Sequence, residues 1–75
     1  MRYNLFTETK FYEEYGWYQT YGILATTSGQ TTYAIGDITL DKEKLLFLIA
    51  KFNAEKLELS HLEQAVEEFL YDFEV

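Results

Sequence analysis

A chain of 75 residues with 13 acidic and six basic side chains carries a net charge of −7, no Cys, no Pro and one His. That length holds one domain, read as residues 1–75. Zero Cys excludes a disulfide framework, thiolate metal sites and a thiol nucleophile. The longest apolar run, Leu45 to Ala50, falls far short of the roughly 20 residues a membrane helix needs. Met1-Arg2-Tyr3-Asn4 turns polar too early for a signal peptide, so a small acidic protein of the cytoplasm is expected, not a membrane protein.

The aromatic content of 19% stands out. A chain this short buries only a little over ~60% of its unfolded surface, and each aromatic ring adds roughly 150–250 Å² of burial. The first reading of the aromatics is therefore core material. The competing reading is an aromatic recognition surface.

From Arg2 to Tyr12, Tyr3, Leu5 and Phe11 share one parity with Thr7 and Thr9, while Asn4, Glu8 and Lys10 share the other with Phe6. A period of two predicts a half-buried strand. Glu13-Glu14 breaks the pattern and is the expected turn. A second strand is expected from about Tyr15 to Thr27, with Tyr15, Trp17, Tyr21, Ile23 and Ala25 on one parity and Tyr18 and Leu24 on the other. Gly16 and Gly22 inside it signal a bulge or a close backbone approach. Ser28-Gly29 reads as a hairpin turn leading into a third strand, Gln30 to Ile38. Two short connections predict a three-stranded antiparallel meander. Phe6, Tyr12, Tyr18, Leu24 and Tyr33 are a surplus left to pack under a helix or to line a groove.

From Leu40 the period changes. Leu45, Leu48, Ile49 and Phe52 recur at helical spacing, with Thr39 or Asp41 as the cap and an expected end near Asn53. Leu46, Phe47 and Ala50 widen the stripe, which predicts cover on more than one side. Ser60 to Glu63 has the form of a capping box. After it, Leu62, Ala65, Val66, Phe69, Leu70 and Phe73 form one face, and Glu63, Gln64, Glu67, Glu68 and Asp72 the other. Leu57 and Leu59 are expected to plug the junction between the helices. The fold class is α+β: a three-stranded antiparallel meander followed by two α-helices packed on one face.

Charge is concentrated in the second half, where residues 39–75 net −5, and Ser60 to Val75 holds five acids and no Lys or Arg. Glu63, Glu67, Glu68 and Asp72 repel one another at helical spacing by a few tenths of a kcal/mol per pair. Solvation tolerates that cost, and a basic partner would relieve it. Nucleic-acid binding fits poorly. Tyr15, Trp17, Tyr18 and Tyr21 could stack bases, yet no Lys or Arg accompanies them to meet phosphate. His61 with Glu63, Glu67 or Glu68 is the one nitrogen–carboxylate combination, and His61 beside a cap reads as exposed rather than metal-bound. A calcium loop starting at Asp37 fails, with Lys42 at its sixth position and Leu48 at its twelfth. Glu13 and Glu14 diverge on a strand, and no nucleophile or Gly-rich phosphate loop is present. No catalytic residue, metal site or cofactor is expected. Candidate binding residues are Tyr15, Trp17, Tyr18 and Tyr21, grouped with Tyr12 and Tyr33, and the acids Glu63, Glu67, Glu68 and Asp72.

The segments Tyr21-Gly22-Ile23, Gly36-Asp37-Ile38-Thr39-Leu40-Asp41-Lys42-Glu43 and Leu59-Ser60-His61-Leu62-Glu63-Gln64-Ala65-Val66-Glu67-Glu68-Phe69-Leu70 carry a resemblance. Over about 55 residues from Tyr21 on, the chain resembles a family of small bacterial proteins, chiefly of clostridia-like Gram-positives, that forms a domain of unknown function. The resemblance transfers no catalytic or binding residue. From the residues themselves, the expectation is a non-enzymatic protein-interaction module with a basic partner, as a monomer or weak homodimer. The alternative is a small-ligand or carbohydrate-binding module built on Trp17 and its Tyr neighbours.

Overall fold

The computed structural model describes residues 1–74, with side chains described through Tyr71. Three strands, β1 (Arg2–Tyr12), β2 (Gly16–Thr27) and β3 (Gln30–Thr39), form one antiparallel sheet in the order β1-β2-β3. Two helices follow, α1 (Lys42–Glu55) and α2 (Leu62–Glu74), with a 3₁₀ turn at Leu59–His61 leading into the second. No helix among the described residues is long and apolar enough to cross a membrane.

The turns follow from their residues. Glu13–Tyr15 make a three-residue loop closed by Tyr15 N–H donating to the Tyr12 carbonyl, and Gly16 takes the positive φ, +77°, that ends it. Tyr15 is therefore in the turn rather than the first residue of the strand. Ser28 (φ 54°) and Gly29 (φ 80°) are both left-handed, as a tight hairpin with right-handed strand twist requires.

The odd-numbered faces of β1 and β2 meet the helices. Tyr3, Ile23 and Ala25 are buried with Ile38, Leu45, Ile49 and Phe52 of the following segments and with Leu62 and Val66 of α2. Leu5, Tyr21, Ile35, Leu57 and Leu59 pack around them. The Tyr3 ring stands edge-on to Phe52, centroids 5.9 Å apart, and its hydroxyl donates to the Leu57 carbonyl at 2.6 Å. Phe73, expected in this core, lies outside the described side chains.

Three expectations are corrected. α1 runs past Asn53, and Lys56 takes the left-handed cap, its N–H reaching the carbonyls of Asn53 and Phe52. Asn53 is instead committed to β1, as described below. α1 is covered on one side only, with Phe47 78% exposed and Leu46 and Ala50 also exposed, because no third layer lies beyond it among the described residues. The capping box does not form. Ser60 makes no side-chain hydrogen bond among the described residues, and the Glu63 carboxylate is taken by Tyr33. Asp41 does cap α1, accepting from Lys44 N–H.

β3 carries a bulge. Tyr21 pairs with Thr39 but Ile23 pairs with Ile35, so the residues between them on β3 are in excess. Asp37 sits there at a φ of 53°, and its carboxylate accepts from the fully buried hydroxyl of Thr20 at 2.7 Å. Gly22 makes the bulge possible, since a Cβ there would stand 2.0 Å from the Ile35 carbonyl oxygen.

Candidate functional site

The six aromatics grouped by sequence fall in four places. The cause is a difference in length. At about 3.3 Å per residue the β1–β2 ribbon extends about 36 Å, whereas α1 at about 1.5 Å per residue covers only about 21 Å. The far end of the ribbon therefore runs beyond the helices, and its aromatics lack a second layer.

Trp17 is there, 73% exposed, paired across the strands with Phe11 at a centroid distance of 5.2 Å. Phe11 shared the parity of Tyr3 and Leu5 in the sequence and was not grouped with the candidate aromatics. Tyr12 and Tyr15 stack at 5.6 Å, and with Glu14, Tyr18, Asp37 and Leu40 they line an open cleft of about 610 Å³. Trp17 does not line it. Tyr21 leaves the group altogether, half-buried against the core with its hydroxyl 3.4 Å from Gln19 Oε1.

Tyr33 lies on β3 near α2, where its hydroxyl donates to Glu63. That bond is the first cause, followed by desolvation and the charge of Glu63, that raises the Tyr33 phenol above its ordinary value of 10.0. The contact marks one end of a groove of about 500 Å³ between β3 and α2. Ile35, Ile38, Val66 and Leu70 give it apolar walls, Glu63 and Glu67 stand on its α2 side, and Asp37, its carboxylate bonded to Thr20, borders it on β3. Among the described residues no Lys or Arg lines it.

The acids expected to act together on α2 therefore divide. Glu63 and Glu67 line the groove, and Glu67 also borders a second hollow with Gln64, Glu68 and Tyr71. Gln64 Nε2 lies 3.5 Å from Glu68 Oε1. Asp72 lies outside the described side chains. His61 is exposed at the end of the 3₁₀ turn. Among the described residues no group of three His, Asp or Glu side chains converges as metal ligands would.

Asp37 was missed as a site residue, yet it borders both the Tyr cleft and the β3–α2 groove. The Gly36-Asp37 pair inside a β-rich run was the available signal, since Gly within a strand marks a bulge. Comparison with protein-family models, with curated proteins and with solved structures finds no match to the chain.

Proposed function

We propose that this chain is a non-enzymatic protein-interaction module, working in the cytoplasm, whose partner is basic and lands on the groove between β3 and α2. The groove's lining carries this reading: Glu63 and Glu67 beside apolar walls and, among the described residues, no cationic side chain. An apolar centre flanked by like charge suits a partner whose Lys or Arg stems cover the walls while their heads meet the acids. The chain's charge of −7 favours approach of such a partner at low salt and opposes tight self-association, leaving a monomer or weak homodimer. Nucleic acid is disfavoured by the same charge.

The test is recovery of whatever co-purifies from the native host with the wild-type chain and with Glu63→Lys/Glu67→Lys/Glu68→Lys. Loss of the partner in the reversed chain is expected. An equal yield would contradict the reading.

A second reading rests on the Tyr12, Tyr15 and Tyr18 cleft, which supports a small-ligand site beside Trp17 rather than on it. Aromatic walls with polar tips suit a flat or sugar-like ligand. Ring signals of these three tyrosines, followed across a metabolite and sugar library, decide it. No response from any of them would remove it.

A further inference from the structure

The two edges of the sheet differ. On β1 the outward N–H of Tyr3 donates to Asn53 Oδ1 at 2.8 Å, and the Tyr3 carbonyl accepts from Asn53 Nδ2 at 2.9 Å. The side-chain amide occupies the place a neighbouring strand would take. β3 has no comparable cover among the described residues. From Gln30 to Gly36 it also lacks the charged residues and prolines that blunt exposed edges.

Antiparallel alternation identifies which groups of β3 face out. Tyr3 turns its backbone away from β2, so its partner Ala25 turns toward β3 instead, as does Ile23. Their partners Tyr33 and Ile35 bond inward. Ala34, between them, directs its N–H and C=O outward, and the Gly36 N–H points out as well, opposite the Ile35 carbonyl that faces Gly22 across the trans peptide. These outward groups lie along the groove that holds Glu63 and Glu67.

We propose that the outer edge of β3 takes an extended basic segment of a partner protein as a fourth strand. Every second side chain of that segment would lie between β3 and α2, with Lys or Arg against Glu63 and Glu67. The proposal rests on the reading of the partner as basic and adds how it is held: main-chain bonds to β3 give affinity, and the acids give specificity. A second copy of this chain fits less well. A two-fold axis perpendicular to the sheet at the outer edge of β3 would bring two sets of Glu63 and Glu67 to the same face, with no cation among the described residues of either groove.

The probe is a synthetic peptide of alternating Lys and Thr, about eight residues long, titrated into the full chain while backbone amides are followed by NMR. Wild type should bind, with the largest changes at Ala34 and Gly36. Ala34→Pro removes only an outward N–H, which an edge position tolerates, and should weaken binding by about tenfold or more. The same loss is expected when alternate amides of the peptide are N-methylated, a comparison that needs no variant and decides the matter if Ala34→Pro does not fold. Undiminished binding of the methylated peptide to wild type overturns the added strand but leaves the basic-partner reading standing. Absence of binding to wild type at low salt overturns both. Changes at Ala34 that follow protein concentration without peptide assign the edge to a second copy and overturn the proposal.

Discussion

The side-chain amide of Asn53 both accepts from and donates to the backbone of Tyr3, at 2.8 Å and 2.9 Å, across 50 residues of sequence. One side chain thus joins α1 to β1 and closes that edge of the sheet. Asn53→Ala leaves a partly buried N–H and C=O unmet, and each such loss costs about 1–3 kcal/mol. The expected outcome is a stability loss of about 2–4 kcal/mol in urea unfolding, with faster exchange of the Tyr3 amide. Asn53→Asp keeps the acceptor but loses the donor, and should fall between.

Gly22 and Gly36 look alike in sequence and should respond oppositely to Ala. At Gly22 the new Cβ meets the Ile35 carbonyl oxygen at 2.0 Å, and backbone cannot yield without parting β2 from β3. At Gly36 the Cβ meets Glu8 Oε1, also at 2.0 Å, but that is the end of a flexible side chain. Gly22→Ala is expected to cost about 3 kcal/mol or more. Gly36→Ala should cost under about 1 kcal/mol. Paired thermal melts check the contrast.

Much of this fold was legible because each segment's period agreed with its environment. The change from alternation to helical spacing after Leu40, and the Ser28-Gly29 turn, were enough for the meander and the two helices. What was not legible depends on contacts between distant elements. Asn53 read as a helix stop because its partner, Tyr3, lies on the first strand. Glu63 read as half of a capping box because Tyr33 competes for it from β3. Trp17 shared the core parity of Ile23 and Ala25 yet lies beyond the reach of α1, a matter of element length that alternation does not encode. Phe47 read as buried because periodicity reports an apolar stripe, not the number of layers available to cover it.

The ribbon tip should contribute little to stability despite its aromatic content. Trp17→Ser removes a 73% exposed ring that packs on Phe11, and should cost about 1 kcal/mol or less. Phe52→Ala, in the core, should cost about 3–5 kcal/mol. Intrinsic fluorescence of Trp17 should resemble that of indole in water and change little on unfolding.

Alkali should loosen the fold. Burial raises the Tyr3 phenol above its ordinary value of 10.0, and the Glu63 hydrogen bond raises that of Tyr33. Folded-state values above the unfolded one mean the stabilisation is complete below pH 10.0 and is lost as pH rises through the folded values. Unfolding midpoints measured on both sides of pH 10.0 should fall on the alkaline side. Tyr3→Phe should be less stable at neutral pH, through the unmet Leu57 carbonyl, but should show a shallower alkaline fall.

On the proposed reading, a basic partner docks on the acids that face β3. The most direct measurement of this is the affinity of the full chain for the alternating Lys-Thr peptide, wild type beside Glu63→Lys/Glu67→Lys, at low and high salt. The expected result is at least about tenfold weaker binding by the reversed chain at low salt, with the difference shrinking as salt rises. Equal affinity of the two chains at low salt would contradict it.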